Sequence, residues 1–225
     1  MLSQWQVFSF CAAQAAIVPI AVLGNAAPDG NGRLNNFGRP GINNAGQVGF
    51  TSGNFDTAGS GDELAMNLRS VTGGPILQIA RANQTVPDGN GKFSSFSFAS
   101  SGFNDPPALN DSGAFAFHTL LTQTTNGPLD DRAIYFGSGG PLSLVVRGGQ
   151  PLPEGNGNFY CFDSFTMNSV GQIAFSATVE PITGGTAADT GLDPTATSPS
   201  PPAPSRSCAR ASGAAGEWRP HCGDA

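Results

Sequence analysis

Asn110-Asp111-Ser112-Gly113-Ala114-Phe115-Ala116-Phe117 decides the fold, because the same pattern stands at two other places in the chain. Those copies read Asn43-Asn44-Ala45-Gly46-Gln47-Val48-Gly49-Phe50 and Asn168-Ser169-Val170-Gly171-Gln172-Ile173-Ala174-Phe175. Asn at the first position and Gly at the fourth are the residues of a type I turn: the Asn side chain caps it, and Gly accepts positive φ without a Cβ clash. Val48/Phe50, Phe115/Phe117 and Ile173/Phe175 fall two apart, so each pair points to one face of a strand and is expected in the core. The structural motif is therefore Asn43, Gly46 and Phe50, then Asn110, Gly113 and Phe117, then Asn168, Gly171 and Phe175. None of these nine residues is suited to chemistry.

A second motif precedes each corner, as Pro28-Asp29-Gly30-Asn31-Gly32, Pro87-Asp88-Gly89-Asn90-Gly91 and Pro153-Glu154-Gly155-Asn156-Gly157. The prolines are 59 and 66 residues apart, which sets a repeat of about sixty residues. Upstream, Ile17, Ile76 and Leu142 sit eleven residues before the proline, and Ile20, Ile79 and Val145 eight before it. A fourth segment occurs twice, Asp62 to Leu68 and Asp130 to Phe136, each followed by Gly-Gly-Pro. One unit then has four short apolar runs separated by turns, which in the second unit are Ala65–Ser70, Ile76–Arg81, Lys92–Phe98 and Ala114–Leu121. The expected fold is all-β: antiparallel four-stranded meanders, propeller-blade-like, forming an incomplete propeller of about three units over residues 1–183.

Composition agrees. Glycine, at 31 residues, is about twice its usual share, and charged residues at 12% are about half theirs. Ten Lys plus Arg against sixteen Asp plus Glu give no basic patch for nucleic acid. No run of eighteen apolar residues predicts a membrane span. Residues 12–23 resemble a signal-peptide core ahead of Gly24-Asn25-Ala26, but residues 1–10 hold no Lys or Arg, and the repeat register assigns this stretch to the fold. From Thr183 the repeat is expected to stop. Beyond Leu192 there is no Leu, Ile, Val, Met, Phe or Tyr, so residues 184–225 are expected to be a disordered low-complexity tail, natural or from a shifted reading frame. That leaves the strand Gln172–Val179 as an exposed edge open to self-association.

Alternating strand direction puts the Pro-Asp-Gly-Asn-Gly loops and the variable loops after the Phe strands at one end. That end carries Asp29, Asp88 and Glu154 together with Asp62, Glu63, Asp130 and Asp131. Calcium takes carboxylate and amide oxygens from such loops, but one carboxylate per loop is too few, and an Asx-stabilised turn is the expected reading. The loops lack the Gly and Ser/Thr of a P-loop. His118 is expected on a sheet face rather than as a catalytic base, and no nucleophile-elbow serine accompanies it. Cys208, His221 and Cys222 lack the paired spacing of a zinc site, Cys161 reads as a buried thiol, and Cys11 stays undetermined. Asp130-Asp131-Arg132 reads as a solvated strand entry, not a glycosidase pair. Phe93, Phe96, Phe98 and Phe103 recur as Phe159, Phe162 and Phe165, which marks core rather than a stacking platform.

The Asn-x-x-Gly-x-x-Ala-Phe motif resembles that of the NxxGxxAF tandem-repeat proteins, over about residues 17–180; the first copy departs from it in having Gly49 for Ala. The resemblance implies a bacterial exported or cell-surface repeat protein, in a family often carrying signal peptides and C-terminal anchors, without an assigned activity. The expectation is a non-enzymatic scaffold with no cofactor, presenting loops to a protein or glycan ligand. The alternative is a calcium-assisted, polysaccharide-acting enzyme using the acidic end.

Overall fold

The computed structural model describes residues 17–96, 106–137, 140–180, 190–192, 209–210 and 220–221. The described chain is all-β and antiparallel, and its sheets do not close on themselves. Blade 1 comprises β1 (Arg33–Phe37), β2 (Gly41–Ile42), β3 (Gln47–Phe55), β4 (Leu64–Ser70) and β5 (Gly73–Arg81), in the order β1-β3-β4-β5 with β2 beside β3. Blade 2 repeats this with β6 (Lys92–Phe96), β7 (Ala108–Leu109), β8 (Phe115–Thr122), β9 (Arg132–Gly137) and β10 (Ser143–Arg147). Blade 3 holds β11 (Asn158–Met167), β12 (Ile173–Glu180) and β13 (Thr190–Leu192). A two-stranded pair, β14 (Ala209–Arg210) and β15 (Pro220–His221), stands apart.

The four expected strands of the second unit are all present, but the blades divide elsewhere. The chain leaves β5 through the Pro-Asp-Gly-Asn-Gly loop and enters a new sheet at β6, so this loop joins blades instead of closing a hairpin within one. Each loop narrows to a single bridge, Ala26–Arg33, Thr85–Lys92 or Pro151–Asn158, and buries the residue before its proline, Ala27, Val86 or Leu152. Turn residues encode the reversal of the chain, not which sheet receives the next strand.

Two further expectations change. The repeat runs past Thr183: β13 pairs with β12 as Ser176–Leu192, Ala177–Gly191 and Thr178–Thr190, in the register by which Ala65 and Ala133 meet Ser52 and Thr119. The edge of β12 is accordingly covered at Ser176–Thr178 rather than exposed. Of the rest of the expected tail only β14 and β15 are described, paired as Ala209–His221 and Arg210–Pro220; its other residues, and residues 1–16 of the leader reading, lie outside the described residues.

The blades stack face to face. Met66, Leu68 and Ala80 of blade 1 meet Phe93, Phe96, Phe115, Phe117 and Tyr135 of blade 2 in one core. Ala116, Ile134 and Val146 on the other face of blade 2 meet Phe159, Phe162, Ile173 and Phe175 in a second. Strands buried on both faces read as near-continuous apolar runs, which is why β8 contains Phe-Ala-Phe. Phe50, Phe117 and Phe175 are 4%, 0% and 3% exposed, so the three motif rings occupy equivalent buried sites. Phe98 and Phe103 lie outside the described residues.

The Asn-x-x-Gly corners have the expected geometry. Gly46, Gly113 and Gly171 stand at φ 73°, 84° and 85°, and each donates its amide to the carbonyl of the motif Asn. Each Asn side chain accepts from the amide four residues on, at 2.8, 2.8 and 2.9 Å. The Asn also reaches the next blade: Asn43 Nδ2 donates to Asn110 O at 2.7 Å, and Asn110 Nδ2 to Ser169 O at 3.3 Å.

Candidate functional site

Two strand-terminal arginines hold the acidic loop end together. Arg81 closes β5 and is almost wholly buried; its Nη1 donates to both carboxylate oxygens of Asp29, at 2.8 and 2.7 Å. Its Nη2 donates to Asn31 O at 2.7 Å and its Nε to Asp62 O at 2.8 Å. Asn31 Nδ2 donates to Asp62 Oδ2 at 2.7 Å, and Asn31 Oδ1 accepts from the Ala58 amide at 2.7 Å. The first and last strands of blade 1 and its variable loop are thereby tied into one cluster.

Blade 2 repeats the cluster. Arg147 at the end of β10 donates to Asp88 at 2.6 Å, to Asp130 O at 2.9 Å and to Asn90 O. Asn90 Nδ2 donates to Asp130 Oδ2 at 2.9 Å, and Asn90 Oδ1 accepts from the Thr125 amide at 2.8 Å. Gln84 and Gln150 accept from the amides of Arg81 and Arg147 and close the turn after each strand.

These contacts place the candidate calcium residues. Asp29 is paired with Arg81 and Asp88 with Arg147. Asp62 and Asp130 accept from asparagine, and Asp130 is buried, correcting the solvated strand entry read from Asp130-Asp131-Arg132: the Asn90 amide and the Asn126 N–H draw its carboxylate inward. Asp131 lies 3.8 Å from Arg132. Glu154 is exposed, and no ion pair holds it among the described residues. No group of three His, Cys, Asp or Glu side chains suited to a metal occurs among the described residues.

Burial tends to raise the Asp62 carboxyl, but hydrogen bonds from Thr57 and Asn31 and the Arg81 charge together outweigh it, and the net direction is downward. His118 is buried edge-on to Phe162 on the blade 3 side of β8. Burial, helped by the Arg132 charge, lowers its pKa to about 3, so at neutral pH it is an uncharged core residue away from the acidic end. Cys161 is a buried free thiol. Beside the first cluster an open depression of about 350 Å³ is lined by Asp29, Asp62, Arg81, Asn83 and Gln84. Asp29, Asp62, Arg81 and Gln84 in its lining are engaged in hydrogen bonds.

The family model covers residues 6–198, most of this chain and all three blades. The chain belongs to DUF7453, a family of unknown function. No curated protein and no solved structure matches it. Among the described residues of this DUF7453 chain no helix is long and apolar enough to cross a membrane. Sequence reasoning missed both arginines. The signal was there: Arg81 and Arg147 each stand six residues before the proline, with Val22 at that place in the first copy.

Proposed function

We propose that this DUF7453 chain is a non-enzymatic β-repeat scaffold of the bacterial exterior, presenting its acidic loop end to a protein or glycan ligand. The observation that carries the reading is the use made of the acidic end: the carboxylates that an enzyme would direct at substrate are occupied by Arg81, Arg147, Asn31 and Asn90. Loops held in one conformation lose little entropy on binding, which suits recognition. The bacterial and surface elements rest on the resemblance to the NxxGxxAF repeat proteins.

The test is a glycan array probed with the full chain, with and without calcium, followed by reducing-end assays on every glycan retained. Retention of a glycan class without turnover, weakened by Asn83→Arg at the rim of the depression, is the expected result. Calcium-dependent release of reducing ends would instead establish the enzyme.

A further inference from the structure

In blades 1 and 2 the fourth strand runs into the next Pro-Asp/Glu-Gly-Asn-Gly loop. Residues 17–22 enter the first such loop in the same way. Gly24 N donates to Leu34 O as Asn83 N does to Phe93 O, and Val22 N donates to Asn25 Oδ1 as Arg81 N does to Gln84 Oε1. Ile17–Val22 therefore holds the register position of a fourth strand, Ala21 standing where β5 has Ala80 and Val22 where it has Arg81. No sheet receives it: Ile17 is 98% exposed, and Val22 and Leu23 are exposed as well.

Blade 3 presents the complementary gap. Its described order is β11-β12-β13, with no fourth strand among the described residues, and the sequence after Leu192 has none of the aliphatic residues that build β5 and β10. Its Asn-x-x-Gly corner is likewise open. Asn43 and Asn110 each staple the following blade, whereas Asn168 Nδ2 bonds only Gln172 among the described residues, and Val170 beside it is 76% exposed. At the far end of the stack Ile42 is 67% exposed, although Leu109 at the same position of blade 2 packs between blades.

We propose that Ile17–Val22 of a second copy of this chain pairs with β13 as the fourth strand of blade 3. The occupant cannot be the chain's own segment, which lies beside blade 1, where Arg69 donates to Ile20 O, with blade 2 between it and blade 3. Applying the β4–β5 ladder, in which Ala65 meets Arg81 and Met66 meets Ala80, pairs Gly191 with Val22 and Leu192 with Ala21. The donated strand is outermost, which accommodates Pro19. The same approach sets Asn168 of one copy against the Asn43-Asn44 corner of the other.

The full chain, with Cys11, Cys208 and Cys222 replaced by serine and the buried Cys161 retained, is tested by mixing variants that each add one cysteine: Val22→Cys with Gly191→Cys, and Ala21→Cys with Leu192→Cys. Neighbouring pairs in an antiparallel ladder alternate between hydrogen-bonded and non-hydrogen-bonded geometry, and the latter brings the Cβ atoms closer. At least one mixture is expected to give a disulfide-linked heterodimer on mild oxidation. Light scattering of the parent is expected to show twice the monomer mass, with Ala21→Asp weakening association about tenfold or more. A monomeric parent, a dimer in which neither pair cross-links, or a bond formed within one chain of the Val22→Cys/Gly191→Cys double variant would each overturn the proposal.

Discussion

Arg81, the last residue of β5, donates to both oxygens of Asp29, which lies ahead of the first strand of the same blade 52 residues earlier. The pair clasps the two outer strands of one sheet, and Arg147 with Asp88 does the same in the next. A buried guanidinium that almost fills its donor capacity is a structural latch, and it gives the Pro-Asp-Gly-Asn-Gly loops their fixed position.

Removing the arginine strands a carboxylate and two backbone carbonyls. Breaking a buried pair costs about 3 to 5 kcal/mol, and the Asp29 side chain is 30% exposed, so Arg81→Ala is expected near the lower bound, about 3 kcal/mol. Glu154→Ala, at the same repeat position without a partner among the described residues, is expected to change stability by less than about 0.5 kcal/mol. Urea unfolding of both variants checks this; equal effects would show that the latch contributes nothing.

The Phe117 ring packs against Phe93, Phe96, Phe115 and Tyr135 in the first inter-blade core. Phe117→Ala is expected to cost about 3 to 5 kcal/mol through lost transfer energy and a residual cavity. The unfolding midpoint in urea reads it, and a loss under about 1 kcal/mol would contradict the packing.

How far the sequence showed all this depends on the range of each contact. The Asn-x-x-Gly corner and the strand after it are local: Asn110 caps its own turn, and Phe115 and Phe117 alternate within one strand, so both were legible. The division into blades was not, because the loop around Asp88 has the same turn residues whether it closes a hairpin or crosses to a new sheet. What decides is Arg81, joined to Asp29 across 52 residues. The same distance hid the partners of the acidic end, since Asp29 meets the Arg81 guanidinium only once β5 is in place.

Gly49 departs from the repeat for a reason visible only in the stack. A Cβ there would lie 2.7 Å from Phe115 Cε2, 3.0 Å from Leu109 Cδ1 and 3.1 Å from Pro107 Cγ, all on blade 2. Gly49→Ala restores the consensus of the other two copies, yet it is expected to destabilise by about 1 to 3 kcal/mol through overpacking. Thermal unfolding compares it with Gly113→Ala, where the φ of 84° strains any Cβ by about 1 to 2 kcal/mol. A stabilised Gly49→Ala would show that blade 2 yields at this contact.

His118 gives stability a pH dependence of definite sign. Its pKa falls from the ordinary 6.5 to about 3 because the charged imidazolium is excluded from the blade 2–blade 3 core, with the Arg132 charge adding to the effect. The unfolded chain therefore binds a proton that the folded chain refuses between those values. The contribution of His118 is complete above pH 6.5 and is lost as pH falls, at about 1.4 kcal/mol per unit. Below pH 4 the lowered Asp62 carboxyl contributes a further loss of the same sign as it protonates. His118→Thr, which places the residue that blade 1 carries at this position, Thr51, is expected to lower stability at pH 7 but to flatten its dependence between pH 6.5 and 4. Urea midpoints measured at half-unit steps across that window decide it: parallel slopes in the parent and His118→Thr would mean that another group takes up the proton.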